Sequence, residues 1–379
     1  MSGSRSSGSR RPPQLAALTG IRGLAAWAVV LYHVRLSLLT LLPPGAIAAL
    51  GKGYLAVDMF FELSGFVIWL NYAGSIAGTD GEGGSWPAAL RFGWRRFARV
   101  WPLHALVLAL FVALALLFVT TGRPTPGMPF AELPLHVALV QNWGFTRELT
   151  WNDPAWSIST ETAAYILFPA LVVAFAPVRT RPWLAAALLA ALATGLWAVF
   201  AEHGFASLGS EITHLGLWRC LAEFAMGTLA CITWTALEVR PPAFRRCLAL
   251  LLSVVATLLV AATALGRLPE TATVPLALFA GLLALALDTG PVARLLGGRV
   301  LHRLGEISYA TYLLHALGFR LFKLVFVGAS LQLDGVRLAL FLVGLAVASE
   351  ATYRWYEKPA QRWLNARLPQ ALRPLPRAA

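Results

Sequence analysis

Apolar residues recur along the chain in long stretches that short polar connections separate. Ten stretches reach or approach the roughly 20 residues that a helix needs to cross a bilayer. They lie near 15–42, 54–72, 101–121, 157–176, 182–201, 215–237, 247–265, 273–288, 302–326 and 332–353. A further apolar stretch, Leu133 to Trp143, is too short to cross, so we expect it to re-enter the membrane or lie at its surface. The pattern predicts an all-α, polytopic membrane bundle of about ten transmembrane helices.

The composition agrees with lipid as the solvent. Of the 379 residues, 58% are apolar and only 13% are charged, whereas soluble proteins carry about 25% charged residues. A soluble chain of this length could not bury so much apolar surface. The net charge of +13 is compatible with nucleic acid, but the basic residues are spread between the apolar stretches rather than gathered in a patch. We therefore expect a lipid bilayer and no nucleic acid as partner.

The connections alternate between basic and nearly neutral. If the Arg-rich N-terminus is cytoplasmic, one side of the membrane holds 21 Lys and Arg and the opposite side holds four. This follows the positive-inside rule and predicts a plasma-membrane protein with both termini in the cytoplasm. We divide the chain into a disordered basic tail (1–14), a membrane domain (15–358) and a basic cytoplasmic tail (359–379). The stretch 122–156, rich in Pro and Trp, is a candidate lid.

Charged residues within the apolar stretches mark candidate sites, because they cost at least about 2.5–3.5 kcal/mol at membrane depth. Arg22 and His33 are close to three helical turns apart, so both side chains leave one face, about 16 Å from each other. Asp58 and Glu62 are four residues apart and stack on one face, so one of them is protonated or paired with a cation. The structural alternatives are a membrane anchor for Arg22, a buried and satisfied imidazole for His33, and a snorkelling carboxylate for Asp58.

Further polar motifs open or close the later stretches. Arg96 and Arg99 either anchor a cytoplasmic loop or clamp phosphate with their planar guanidinium groups. The run from Trp156 to Glu161 offers Ser side chains and a carboxylate that suit the first turn of a helix. The late motifs are Ser308-Tyr309 through His315 and Glu357-Lys358-Pro359. The three cysteines have no ligand-like spacing, so we expect neither a disulfide nor a metal site.

In this order the motifs resemble those of the acyltransferase 3 family of integral membrane proteins, over Leu18 to Glu357. Thr19-Gly20-Ile21-Arg22-Gly23 with His33 is similar to the Arg–ten residues–His signature of that family. The other matching motifs are Val57-Asp58 to Phe66, Arg96-x-x-Arg99 with Pro102, Trp156 to Glu161, Ile307-Ser308-Tyr309 to His315, and Glu357-x-Pro359.

The resemblance implies a helical fold of about ten spans, a reaction centre at His33, and acyl-CoA as a co-substrate with no permanently bound cofactor. The implied reaction moves an acetyl or other short acyl group to a hydroxyl of a carbohydrate or of a macrolide- or ansamycin-type natural product. Envelope decoration and antibiotic biosynthesis are the corresponding settings.

The chemistry of this reaction assigns roles to the candidate residues. Ester formation needs a base for the attacking hydroxyl, and an imidazole suits that role near neutral pH. We expect His33 to be this base or a transient acyl carrier, with Asp58 or Glu161 orienting its ring. Arg22, Arg96 and Arg99 are expected to bind CoA phosphates or the thioester oxyanion. The residues expected to bind substrate or support the site are Ser64, Trp156, Ser308, Tyr309 and His315.

Several positions depart from the family pattern, and one other function is compatible with the residues. Glu62 stands where an apolar residue is usual, and His104 replaces an aromatic one. Thr162-Ala163-Ala164 replaces a more acidic and amidic run after Glu161. Intramembrane His, Asp and Glu side chains also build the proton relays of transporters and flippases. The sequence shows no inverted repeat of the kind that such transporters contain. We therefore favour the acyltransferase.

Overall fold

The computed structural model describes residues 13–79, 86–327, 331–369 and 372. Most of the predicted tail 1–14 and the end of the tail 359–379 lie outside these residues. The described chain forms fifteen α-helices and no strand, which confirms the all-α class. They are α1 (Pro13–Val34), α2 (Pro44–Leu50), α3 (Ala56–Ala77), α4 (Trp86–Thr120), α5 (Leu133–Ala138), α6 (Ala155–Ala174), α7 (Pro182–Glu202), α8 (Ile212–Glu238), α9 (Pro242–Ala264), α10 (Glu270–Leu287), α11 (Pro291–Leu296), α12 (Arg299–Glu306), α13 (Ser308–Phe326), α14 (Gly335–Thr352) and α15 (Lys358–Ala366).

Nine helical segments of the described chain are long and apolar enough to cross a membrane. They correspond to nine of the ten predicted spans. The remaining prediction, 302–326, is two helices, α12 and α13, which meet at Ile307. Although α13 has 19 residues, His315, Arg320 and Lys323 reduce its apolar character. It nevertheless packs within the bundle, against α1, α4 and α14.

Several predicted boundaries differ from the structure. The first span was predicted to end near residue 42, but α1 ends at Val34 and a 3-10 turn and the short α2 follow it. His33 therefore lies in the last turn of α1 rather than deep within a span. The third span was predicted to begin near residue 101, but α4 begins at Trp86, so Arg96 and Arg99 lie inside a helix. The α15 helix occupies part of the predicted C-terminal tail and packs on α4, where Trp94 Nε1 donates to the carbonyl of Leu364 (3.0 Å).

The most extensive helix–helix contact is between α3 and α8, and two glycines allow it. A Cβ at Gly65 would collide with the backbone carbonyl of Phe224, and a Cβ at Gly227 would collide with the backbone carbonyl of Glu62. Small residues at such positions let helix backbones approach closely in membranes, where packing replaces the hydrophobic effect. The α3–α8 pair is surrounded by α1, α6, α7 and α10.

The close approach predicts that Gly227→Ala destabilises the protein. The added methyl group meets backbone rather than a movable side chain, so we expect a loss at the upper end of the 1–3 kcal/mol that is typical of overpacking. Gly281→Ala in α10 is the matched control, since nothing lies within 4 Å of a Cβ there, and it should keep or raise the melting temperature. The measurement is thermal unfolding of both variants in detergent. Equal melting temperatures would contradict the tight α3–α8 contact.

Candidate active site

An internal cavity of about 200 Å³ lies between α1, α3, α4, α6 and α13. Its lining brings together most of the residues predicted from the sequence. The predicted residues in its wall are Arg22, Ser64, Arg96, Arg99, Glu161, Ser308 and Tyr309. Motifs that are separated by up to almost three hundred residues therefore converge on one space.

The three arginines of the cavity have different surroundings. The guanidinium of Arg96 lies between the rings of Tyr72 (5.7 Å) and Tyr165 (5.6 Å), and its buried Nε has no hydrogen-bond partner. Arg99 forms an ion pair with Glu357 and faces the ring of Tyr309 at 5.4 Å. The closing Glu-x-Pro motif thus holds one arginine of the Arg-x-x-Arg motif.

Arg22 and Glu161 complete the charges of the cavity. They lie close enough to interact electrostatically, with Arg96 and Tyr165 near both. Among the residues that the structure describes, the cavity wall holds three guanidinium groups and the carboxylate of Glu161, and Glu357 pairs with Arg99 from outside the wall, so positive charge is in excess. Planar guanidinium groups in this arrangement suit an anionic ligand such as phosphate.

The supporting residues hold the helices around the cavity. Ser308 Oγ donates to the carbonyl of Gly305 (2.8 Å) at the junction of α12 and α13. Tyr309 donates to the carbonyl of Val100 (2.6 Å), which joins α13 to α4. Ser64 lies beside the hydroxyl of Tyr165. Trp156 packs edge-on against Phe61.

His33 and His315 form a pair next to this cavity. His315 Nε2 lies 3.2 Å from His33 Nδ1, and their ring centroids are 4.8 Å apart. His315 Nδ1 lies 2.5 Å from the carbonyl of Tyr312, and His33 Nδ1 lies 2.9 Å from the carbonyl of Val29. Because a carbonyl only accepts, each Nδ1 carries a hydrogen in the neutral ring. The single Nδ1 hydrogen of His33 is then shared between the carbonyl of Val29 and His315 Nε2, and the lone pair of His33 Nε2 is left for chemistry.

Tyr312 connects the histidine pair to the cavity. It lines the cavity, its ring lies 5.8 Å from that of His315, and its hydroxyl lies 2.8 Å from Ser157 Oγ. His33 itself is not in the cavity wall, and its side chain is exposed at the end of α1. The structure therefore brings His315 to His33 but keeps the arginines in a separate, adjoining space.

Asp58 makes a different contact from the one expected. Arg219 Nε and Nη2 donate to its two carboxylate oxygens at 2.5 and 2.6 Å, and both side chains are buried. This confirms that one carboxylate of the Asp58–Glu62 pair is matched by a cation. Among the described residues the ring of His33 is oriented by Val29 and His315, and Asp58 is engaged with Arg219. The catalytic roles of Asp58 and Glu161 stay predictions.

Sequence reasoning missed Arg219, Tyr312 and Tyr165. Arg219 had a usable signal, because it is a charged residue inside the apolar stretch 215–237 and such residues mark sites. Glu223 lies one turn further along α8, fully buried, and neither of its carboxylate oxygens has a hydrogen-bond partner. The two tyrosines carried no such signal, because a Tyr in an apolar helix is ordinarily a packing residue.

The predicted lid is an ordered polar segment beside the histidine pair. Tyr312 donates to the carbonyl of Pro154 (2.9 Å), and Asn152 Nδ2 donates to the carbonyl of Leu313 (3.2 Å). In this segment, outside the membrane-spanning helices, burial lowers the pKa of His136 to about 4. The His136 imidazole is therefore neutral at pH 7.

Comparison with known proteins decides the family. A family model described as an acyltransferase domain, Acyl_transf_3, matches residues 15–351. The chain belongs to the acyltransferase 3 family. It is 30% identical over 398 aligned positions to acyltransferase MdmB of Streptomyces mycarofaciens, covering 97% of this chain and 96% of that protein. It is 39% identical over 167 positions to protein 2 in the picA locus of Rhizobium radiobacter, covering 40% of this chain and 80% of that protein. No solved structure matches it.

Membership in the family confirms the resemblance of the motifs. This acyltransferase is a multi-pass membrane protein, and the conclusion rests on 337 matched positions together with the apolar helices. The matched region includes the arginine cavity, both histidines and the Asp58–Arg219 pair.

The buried ion pair predicts a structural effect for Asp58→Asn. This change leaves the buried Arg219 guanidinium without the carboxylate that it binds through two hydrogen bonds, so we expect the acyltransferase to lose about 3–5 kcal/mol of stability. Asp58→Leu combined with Arg219→Met removes both charges and should recover most of that loss. The measurement is thermal unfolding in detergent, with Glu202→Gln, an exposed carboxylate, as control. A stable double variant without acyl transfer would instead support the catalytic role of Asp58.

Proposed function

We propose that this acyltransferase moves an acetyl or other short acyl group from acyl-CoA to a hydroxyl of a carbohydrate or of a macrolide- or ansamycin-type acceptor. The observation that carries the proposal is the arginine cavity adjoining the His33–His315 pair through Tyr312. It supplies an anion-binding space and a base within one bundle. Neither element alone distinguishes an acyltransferase from a transporter.

The reaction assigns a cycle to the imidazole of His33. Its Nε2 accepts the proton of the acceptor hydroxyl as that oxygen attacks the thioester carbonyl. When the tetrahedral intermediate collapses, the carbon–sulfur bond breaks and the thiolate of CoA takes the proton back from Nε2. His315 Nε2 accepts from His33 Nδ1, which fixes the ring and stabilises its charged form, as the acid of a triad does. A transient acyl group on His33 is the alternative route with the same products.

The donor is assigned to the arginine cavity. Arg22, Arg96 and Arg99 offer planar donors for the phosphates of CoA, and the buried Nε of Arg96 has no hydrogen-bond partner among the described residues. The positive-inside pattern assigns these arginines to the cytoplasmic side of the plasma membrane, with both termini. Since CoA is a cytoplasmic compound, this proposal places the donor and the arginines on the same side of the membrane.

The acceptor is assigned to the exposed side of His33. The cavity volume of about 200 Å³ is below the roughly 300–1,000 Å³ of pockets that enclose drug-sized ligands. An oligosaccharide or macrolide therefore does not fit inside it, and of acyl-CoA the cavity would hold only a part, the phosphate groups that the arginines bind. Such an acceptor reaches His33 at the end of α1, where the side chain is exposed.

His33→Ala is expected to lower acyl transfer by about 100- to 10,000-fold, the range for loss of a general base. His203→Ala is a matched control, because His203 also ends a helix and its Nδ1 also bonds the carbonyl four residues earlier (2.8 Å). The measurement is thiol release from acetyl-CoA in detergent with mass spectrometry of the acylated acceptor. Transfer above a tenth of the wild-type rate in His33→Ala would contradict the role of His33. If the wild-type protein released no more thiol than the His33→Ala variant with any acceptor, that result would favour the transporter.

Arg96→Lys separates phosphate binding from membrane anchoring. A lysine keeps the positive charge but loses the planar, forked arrangement of donors. Because one charge-assisted hydrogen bond is worth about 1.5–3 kcal/mol, we expect the KM for acetyl-CoA to rise about ten- to a hundredfold. Arg95→Lys, at an exposed position of the same helix, should leave that KM unchanged. The positive-inside rule treats Arg and Lys alike. If the KM is unchanged in a normally expressed Arg96→Lys variant, the role of Arg96 is to anchor a cytoplasmic loop at the membrane.

A further inference from the structure

The segment between α5 and α6 folds over a small enclosed void of about 10 Å³. Four polar side chains in its wall are almost fully buried, with exposed fractions of 2% for His136, 4% for Gln141, 1% for Asn142 and 2% for Asn152. Each of them keeps one atom without a hydrogen-bond partner, namely His136 Nδ1, Gln141 Oε1, Asn142 Oδ1 and Asn152 Oδ1. Buried polar atoms in folded proteins are nearly always paired, so four together indicate a missing ligand.

The orientation of the three amides is fixed by backbone carbonyls. Gln141 Nε2 donates to Ala155 (3.2 Å), Asn142 Nδ2 to Ile212 (2.9 Å) and Asn152 Nδ2 to Leu313 (3.2 Å). Turning any amide over would place its oxygen against a carbonyl oxygen. The unpartnered atom of each amide is therefore its oxygen, an acceptor.

The imidazole of His136 adds a fourth acceptor. The hydroxyl of Thr150 donates to Glu132 (2.7 Å), so it accepts from His136 Nε2 at 2.9 Å. With the hydrogen on Nε2, the neutral ring presents a lone pair at Nδ1. The wall of the void thus contains four side chains that each keep one acceptor without a hydrogen-bond partner.

A water molecule and a cation differ in how they satisfy these atoms. A void of this size holds about one water molecule, which has two hydrogens and so satisfies two of the four acceptors. A cation satisfies all four. The carboxylates of Glu148 and Asp153 also line the void, and they provide negative charge.

We propose that this void binds one hard divalent cation, Ca²⁺ or Mn²⁺, through Gln141 Oε1, Asn142 Oδ1, Asn152 Oδ1 and His136 Nδ1, with a carboxylate of Asp153 or Glu148. Amide and carboxylate oxygens are the ligands that such ions prefer, and Mn²⁺ also accepts an imidazole. Within the described part of the chain no group of three or more His, Cys, Asp or Glu side chains is placed to hold a metal ion. The site depends on amide oxygens, which is why the sequence predicted no metal.

The ion has a route into the void. A wider pocket of about 660 Å³ opens beside it, and Thr146, Glu148 and Thr150 line both spaces. Glu148 therefore borders both the wider pocket and the void.

The position of the void gives the ion a structural role in the active site. The three amides bond the starts of α6 and α8 and the middle of α13, through Ala155, Ile212 and Leu313. Those helices carry Glu161, Arg219 and His315. A bound ion would fix the segment against all three helices and so position the site residues without contacting the substrates.

The test uses the full-length protein in detergent, stripped of metal with EDTA. We expect added Ca²⁺ or Mn²⁺ to raise the melting temperature, with Mg²⁺ as the comparison ion. Tb³⁺ should give luminescence sensitised by Trp156, which lines the void, and Ca²⁺ should compete for it. Both measurements are independent of acyl transfer.

A variant without the carboxylates of Asp153 and Glu148 should still fold. Both side chains are exposed, and Asp153→Asn with Glu148→Gln should weaken Ca²⁺ binding at least tenfold. Glu202→Gln removes an exposed carboxylate elsewhere and should bind like the wild type. Gln141→Met removes one amide oxygen and should also bind more weakly. No ion-dependent luminescence or melting shift in the wild type, or equal Ca²⁺ affinity in the carboxylate variant, would overturn the proposal and assign the void to water.

Discussion

Asp58 and Arg219 join α3 and α8, the two helices with the most extensive contact, and both side chains are cut off from solvent. Charges within a bilayer have to be matched inside the protein, because lipid offers no hydrogen bonds. The two donors of Arg219 occupy both oxygens of Asp58, and a third donor binds the carbonyl of Leu208 (2.9 Å). Glycines bring the two backbones together below the pair. The helices that carry the arginine cavity and the histidines pack around this core.

The candidate site separates two tasks in space. Its positive charge is concentrated in the cavity, where Glu357 holds Arg99 and tyrosines flank Arg96. The imidazole of His33 lies at the end of α1, next to that of His315. Tyr312 contacts both parts, so a change in its position would affect the arginine cavity and the imidazole pair together. In the proposed reaction, an acceptor at the exposed side of His33 would stay outside the small cavity.

The fold was largely predictable because lipid imposes long apolar helices that a sequence displays directly. The predicted boundaries were less accurate where polar residues interrupt an apolar run, as at Glu306 and Ser308, or where apolar residues continue past a helix end, as after Val34. The motifs identified the cavity residues. The partners of Asp58 and Arg99 were not predictable from local spacing, since they lie 161 and 258 residues away. Amide oxygens facing a void leave no pattern in the sequence at all.

The composition of α13 has a consequence for how the protein is made. A segment that carries His315, Arg320 and Lys323 partitions poorly into lipid on its own, because each of these residues raises the cost of insertion. In the finished bundle, α1 and α4 cover one side of α13 and α14 covers another. Since α14 follows α13 along the chain, α13 has to wait at the translocon or at the membrane surface until that neighbour arrives. Membrane integration of the helix that carries His315 is therefore a cooperative step that depends on α14.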